Sequence, residues 1–151
     1  MTKDVLLTIS GSQFGPDYDT QDGPIEVITP AQYYFKNGKH YVLYDEVMEG
    51  ESEITKNTLQ FTDNYLSVTK HGPANVHMVI EEAKKNVTYY YTPVGSLHIT
   101  LDGKTVKVSE EDNQIRVNAD YDLGINYEHV ANCQIHIDIK SKGGNNFSLT
   151  E

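Results

Sequence analysis

Tyr44 and Glu46 are residues of this sequence whose types and spacing suggest chemistry. They lie two positions apart in a strand-like run, so both side chains project from the same face of an extended strand, beside Val42. A carboxylate facing a protein interior must be paired, hydrogen-bonded or protonated, and a tyrosine hydroxyl or Lys70 is a candidate partner. The pair therefore predicts a polar anchor in a ligand cavity or a general acid/base. A glutamate at the rim, or one with only a structural role, is the simpler alternative.

Three consecutive tyrosines, Tyr89, Tyr90 and Tyr91, form a second candidate group. In a strand, Tyr89 and Tyr91 share one face and Tyr90 takes the other. One interpretation places Tyr89 and Tyr91 along a pocket, where their hydroxyls are available to a ligand. The alternative is that the rings belong to the core or pair with neighbouring strands.

The six histidines and the one cysteine show no local metal-binding or redox pattern. No two histidines have the compact spacing of a metal-binding pair, so we expect them at surface positions, although strands could bring His77, His98 and His136 together. Cys133 is expected to be a small buried apolar residue. The sequence therefore predicts no metal, no cofactor and no intrachain disulfide.

The charge balance restricts the class of partner. The 151 residues carry a formal net charge of −10, which argues against binding to nucleic acid or to an anionic membrane, because both attract Lys and Arg. No stretch approaches the roughly 20 apolar residues of a membrane span, and the first residues form no apolar leader. A cytoplasmic location is therefore expected by default.

Alternation of apolar and polar residues with a period of two dominates the chain, and turn residues interrupt it about every ten positions. Asn37-Gly38 and Asp102-Gly103 are typical of two-residue hairpin turns. Pro30 predicts a bulge, a bend or an edge within its strand. For Gly124 to Asn132 the sequence leaves open whether the connection contains a short helical turn.

These patterns predict a single all-β domain over residues 1–140, with about 8–10 strands and a flexible tail over residues 141–151. Alternation with one polar face favours antiparallel pairing. An open meander of so many strands would leave exposed edges, so closure into an up-and-down barrel is expected, with a two-sheet sandwich as the alternative.

Several segments resemble the YwiB-like family, a bacterial domain of unknown function (DUF1934) with a calycin-type, lipocalin-like barrel. The resemblance covers about residues 4–140. The segments that carry it are residues 33–46, 57–59, 70–72, 78–80, 91–97, 121–123 and 135–139. One departure is Lys70-His71 before Gly72, where the family usually shows arginine. A planar bidentate guanidinium is therefore not expected there, since neither residue reproduces that geometry.

The resemblance implies a barrel fold and no established reaction. Calycin barrels often hold a small apolar or amphipathic ligand, although a fold by itself is a weak guide to function. A small, partly apolar ligand is therefore the first hypothesis. Its lining candidates are Tyr44, Glu46, Met78, Tyr91 and Tyr121. The second hypothesis is a solidly packed barrel that acts through its surface, as a homodimer in one version, and an acid/base enzyme ranks last.

Overall fold

The structure is a computed structural model that describes residues 3–11, 25–47, 53–72, 75–92 and 95–142. These residues form ten β-strands joined by turns. The strands are β1 Lys3–Gly11, β2 Ile25–Lys36, β3 Lys39–Val47, β4 Ile54–Thr62, β5 Tyr65–His71, β6 Val76–Glu81, β7 Lys85–Thr92, β8 Gly95–Glu111, β9 Gln114–Ile125 and β10 Glu128–Ser141. In this part of the chain no helix is long and apolar enough to cross a membrane.

All ten strands belong to one antiparallel sheet, in the order β6-β5-β4-β3-β2-β1-β10-β9-β8-β7. Strands that follow each other in sequence are neighbours in the sheet, except that β6 and β7 lie at its two ends, while β1 pairs with β10. The sheet curls so that its two ends meet, which confirms the predicted antiparallel, nearly closed barrel. Interior side chains alternate with outward-facing ones along each strand, as the sequence pattern requires.

The two ends of the barrel differ in their connections. All odd-numbered strands run toward one end, which we call the mouth. The connections there span residues 12–24, 48–52, 72–75, 93–94 and 126–127. At the other end, the base, short turns at residues 37–38, 63–64, 82–84 and 112–113 join the strands. The longer connections therefore all lie at the mouth, where loops on a rigid scaffold commonly carry binding residues.

Strand register arranges one half of the interior in rows that cross β3 to β6. The first row below the mouth is Tyr44, Asn57, Lys70 and Val76. The second row is Val42, Leu59, Val68 and Met78, and the third is His40, Phe61, Leu66 and Ile80. Polar groups therefore concentrate in the first row, and the second row is wholly apolar.

The seam between the two ends of the sheet corrects one prediction. Asp102-Gly103 is not a hairpin turn, because both residues lie inside the continuous strand β8. A Cβ on Gly103 would lie 1.9 Å from the Glu81 backbone oxygen. The close approach lets the Gly103 amide donate to Lys84 O at 2.8 Å and its carbonyl accept from Ala83 N at 3.1 Å. The glycine therefore allows the backbone of β8 to lie close to the backbone of residues 81–84 across the seam.

The connection after β9 is a two-residue turn rather than a helical one. Asn126 and Tyr127 have φ values of 51° and 72°, the left-handed conformation that such hairpin turns need at both central positions. Strand β10 continues through Ser141. Residues 12–24 and 48–52 and the tail beyond residue 142 lie outside the described residues.

Candidate binding site at the mouth of the barrel

Tyr44 and Glu46 lie on the inward face of β3, together with the buried Val42. Tyr44 is 8% exposed, and the Glu46 side chain, one step nearer the mouth, is 28% exposed. Burial, followed by the charge of Glu46, raises the pKa of the Tyr44 hydroxyl, so the hydroxyl is protonated at neutral pH. The predicted arrangement of these two side chains on one interior face is therefore present.

Lys70 is the partner of Glu46, one of the two partners that the sequence suggested. Its Nζ lies 3.2 Å from Glu46 Oε1 and donates a 2.8 Å hydrogen bond to Asn57 Oδ1. Asn57 is 2% exposed, and its Nδ2 donates to Glu46 Oε1 and to the Thr55 carbonyl, each at 3.4 Å. A buried amide therefore holds the cation and the carboxylate in a fixed relation. We call Tyr44, Glu46, Asn57 and Lys70 the mouth cluster.

Three groups of the mouth cluster retain hydrogen-bonding capacity within the described part of the chain. Glu46 Oε1 accepts both bonds from its neighbours, and Oε2 has no partner there. Lys70 uses two of its three N–H donors, and the Tyr44 hydroxyl has no partner there. The Lys70 and Glu46 side chains are 32% and 28% exposed, and the buried polar atoms without a partner among the described residues lie elsewhere, in His98 and Tyr121. Water therefore reaches these three groups, and a molecule that enters the mouth can displace that water.

The second interior row closes the floor beneath the mouth cluster. Val42 is 0% exposed, Leu59 is 1% exposed and Met78 is 5% exposed. A side chain without accessible surface borders neither solvent nor a void that could hold water. The third row is equally dense, since Phe61 and Leu66 are both 0% exposed. Val68, the remaining member of the second row, is only partly buried and packs against this core. Val42, Leu59 and Met78 are therefore closely packed, and they form the floor on which a molecule in the mouth would rest.

A second polar group, the base cluster of Tyr33, His40 and Glu110, lies toward the opposite end. The Tyr33 hydroxyl and His40 Nδ1 are 2.8 Å apart, and His40 Nε2 lies 3.5 Å from Glu110 Oε2. His40 stacks on Phe61 with 4.7 Å between ring centroids and meets Phe35 edge-on at 4.8 Å. This cluster spans the barrel, because β3 and β8 are not neighbours in the sheet.

The expectation of surface histidines is wrong for His40, which is 6% exposed. Burial lowers its pKa, and the charges of Glu110 and Asp63 oppose that shift without cancelling it. Burial also raises the pKa of Tyr33, with a further contribution from Glu110. A protonated Tyr33 therefore donates to a neutral His40, which in turn donates to Glu110. The alternation of His40 with Val42 and Tyr44 was the sequence pattern that could have revealed this inward position.

Of the other predicted lining residues, Met78 and Tyr121 lie apart from the mouth cluster. Met78 lies in the second interior row, and Tyr121 is 1% exposed in the core, opposite Cys133. Burial raises the pKa of Tyr121, and Cys133 adds to the shift. Tyr91 pairs with Ser96 through its backbone, and its side chain lies outside what the structure describes.

The tyrosine run of β7 divides between the two faces of the sheet. Tyr90 is 9% exposed and belongs to the core, whereas Tyr89 is 51% exposed. Tyr89 meets His98 edge-on with 5.5 Å between ring centroids, and Tyr127 stacks on His98 with 4.3 Å between ring centroids. Tyr89 therefore does not face the interior of the barrel. Its contact with His98 on the neighbouring strand β8 is the cross-strand aromatic pairing that was the alternative.

Histidine, cysteine, aspartate and glutamate side chains do not gather in groups of three that could hold a metal ion, as far as the described residues extend. His77 instead contacts Thr69 Oγ1 through Nδ1 at 2.9 Å, and His136 contacts Asn118. His98 contacts two tyrosine rings, those of Tyr89 and Tyr127. His77, His98 and His136 therefore have different neighbours, and the strands do not bring them together.

Comparison with known proteins agrees with this architecture. The model of a family described as a domain of unknown function (DUF1934) matches residues 9–137, and the chain belongs to that family. The crystal structure of the ywiB protein from Bacillus subtilis is similar, with a TM-score of 0.74 and 16% identity, over 93% of this chain and 92% of that one. At this identity the likeness shows the fold alone. No curated protein matches the sequence.

Proposed function

We propose that this barrel binds a small polar molecule at its mouth, through Tyr44, Glu46 and Lys70. The observation that carries the proposal is the set of unused hydrogen-bonding groups around a fixed Glu46–Lys70 pair, above a floor of packed side chains. Mouths of β-barrels are common places for ligand sites, where a few polar groups fix the orientation of the ligand. The packed second row supports a short ligand, in place of the partly apolar one first expected.

The wider setting of the proposal rests on the composition and the family. The net charge of −10 supports a partner other than nucleic acid or an anionic membrane. A cytoplasmic location and a kinship with the calycins remain parts of this proposal. Acid/base catalysis is not favoured over binding, because Glu46 is already held by Lys70 and Asn57.

The test is a two-dimensional ¹H–¹⁵N NMR screen of the full chain against a library of small polar metabolites. We expect compounds that shift the amide signals of β3, β4 and β5 near the mouth, and we expect Lys70→Met/Glu46→Gln to abolish those shifts. This double variant removes both charges together, so neither is left unpaired. The proposal is overturned if the binding compounds shift the variant as strongly as the wild type, or if no compound shifts mouth signals.

A second candidate is a surface interaction between two copies of the barrel. The observation in its favour is the outward aromatic group of Tyr89, His98 and Tyr127. Tyr127 lies in the turn after β9, where its backbone is left-handed, and its side chain is 84% exposed. Large exposed aromatic rings are enriched at protein interfaces. Analytical ultracentrifugation of the wild type and of Tyr127→Ser tests this candidate. A monomer at high concentration removes the homodimer.

A further inference from the structure

We infer that the ligand of the mouth cluster is a free α-amino acid, held at both of its charged groups. The inference deepens the proposed binding function and depends on it. It rests on the signs of the two side-chain charges, on the distance between them, and on which hydrogen-bonding groups of the cluster remain unused.

The opposite charges of Lys70 and Glu46 favour a ligand that has one positive and one negative charge, and therefore no net charge. Lys70 and Glu46 form one ion pair, and their side chains are 32% and 28% exposed. A ligand with a single charge would compete for one partner and leave the other without its counter-charge in a partly dehydrated place, which costs free energy. A zwitterion brings a carboxylate to Lys70 and an ammonium to Glu46, so every charge keeps an opposite neighbour.

The distance between the two side chains limits how far apart the ligand's charges lie. Lys70 Nζ and Glu46 Oε1 are 3.2 Å apart, and Asn57 fixes both of them. A ligand that meets both groups at once must carry its own charges equally close together. An ammonium and a carboxylate on the same carbon atom meet that condition, whereas the distant termini of an extended peptide do not.

The unused groups match the needs of this ligand. An α-carboxylate is an acceptor, and Lys70 has a remaining N–H donor beside the protonated Tyr44 hydroxyl. An α-ammonium is a donor, and Glu46 Oε2 accepts nothing from the described residues. Charge-assisted hydrogen bonds of this kind are stronger than neutral ones. The floor of Val42 and Leu59 directs the amino acid side chain away from the core.

The experiment is isothermal titration calorimetry of the full chain with the twenty free amino acids, followed by matched analogues of each one that binds. For leucine the analogues are 3-methylbutylamine, which lacks the carboxylate, and 4-methylpentanoate, which lacks the ammonium. We expect at least one amino acid to bind and both of its analogues to bind at least tenfold more weakly. Lys70→Met should weaken amino acid binding at least tenfold, whereas Tyr33→Phe, whose lost hydroxyl contacts His40 in the base cluster, should leave it within twofold.

The outcomes separate this inference from the proposed function. Analogues that bind within threefold of the amino acid overturn the zwitterion. If no amino acid binds at 10 mM while another library compound shifts the mouth signals, the inference fails and the proposed function stands. If neither an amino acid nor a library compound binds at the mouth, both the amino acid inference and the proposed function are overturned.

Discussion

The mouth and base clusters contain similar chemical groups and differ in how those groups are used. Each combines a buried tyrosine, a side chain that carries nitrogen donors and a carboxylate. At the base, Tyr33 donates to His40, His40 reaches Glu110, and Phe35 and Phe61 cover the imidazole ring. At the mouth, Tyr44, Lys70 and Glu46 Oε2 keep unused capacity. The base cluster is a satisfied polar network of the kind that stabilises a fold, whereas the groups that stay open at the mouth are the basis of the proposed binding.

The largest expected effect concerns the floor that separates the clusters. Leu59→Ala should lower the free energy of unfolding by about 2–5 kcal/mol, because it removes a fully packed side chain and leaves a cavity. Urea denaturation measures the loss. We also expect this variant to bind small apolar probes such as indole, which the wild type should not bind. Probe binding by the wild type would show that the interior is already hollow.

At the base, Tyr33→Phe should lower the free energy of unfolding by about 1–3 kcal/mol, because it leaves the buried His40 Nδ1 without its donor. The double variant Tyr33→Phe/His40→Leu removes both polar partners and should recover part of that loss. Equilibrium denaturation of the set forms a double-mutant cycle. Additive losses from the two single variants would mean that the two side chains do not interact.

The base cluster should also make stability depend on pH. The pKa of His40 is lower in the folded protein than its ordinary value of 6.5. The unfolded chain therefore takes up the proton first, so the contribution of His40 is complete above pH 6.5 and is lost as the pH falls from 6.5 through the folded pKa. Each unit of that difference is worth about 1.4 kcal/mol.

The control for this pH dependence is His40→Gln, which stays neutral and accepts from Tyr33. The stability advantage of the wild type over His40→Gln, measured by urea denaturation from pH 7.5 to pH 4.5, should shrink with falling pH. A constant or growing advantage would contradict the lowered pKa of His40.

The smallest stability effect is expected at the mouth, from Tyr44→Phe. This change removes a hydroxyl without a partner among the described residues, so the free energy of unfolding should change by less than about 0.5 kcal/mol. The comparison with Tyr33→Phe is direct, because both variants delete one tyrosine oxygen. Equal losses from the two, in the same denaturation assay, would remove the distinction between a structural cluster and a binding cluster.

Sequence reasoning predicted the fold and suggested three members of the mouth cluster, Tyr44, Glu46 and Lys70, but not Asn57. Alternation predicted the barrel because each strand has one buried face, and it placed Tyr44 and Glu46 on one strand face without deciding whether that face is the buried one. Asp102-Gly103 was wrongly predicted to be a hairpin turn. Position 103 needs a glycine because the Glu81 backbone leaves no room for a Cβ, and the sequence alone does not distinguish such a glycine from one in a turn. The link from His40 to Glu110 could not be predicted, since 70 positions separate the two residues and only closure of the barrel brings them together.

Native mass spectrometry tests the central claim most directly, with protein purified at neutral pH without refolding. The wild type and Lys70→Met/Glu46→Gln are measured side by side, each after incubation with the amino acid mixture. We predict an added mass of one amino acid on the wild type and none on the variant. The same added mass on both proteins would contradict a binding site built from the mouth cluster, and an added mass on neither would contradict an amino acid as its ligand.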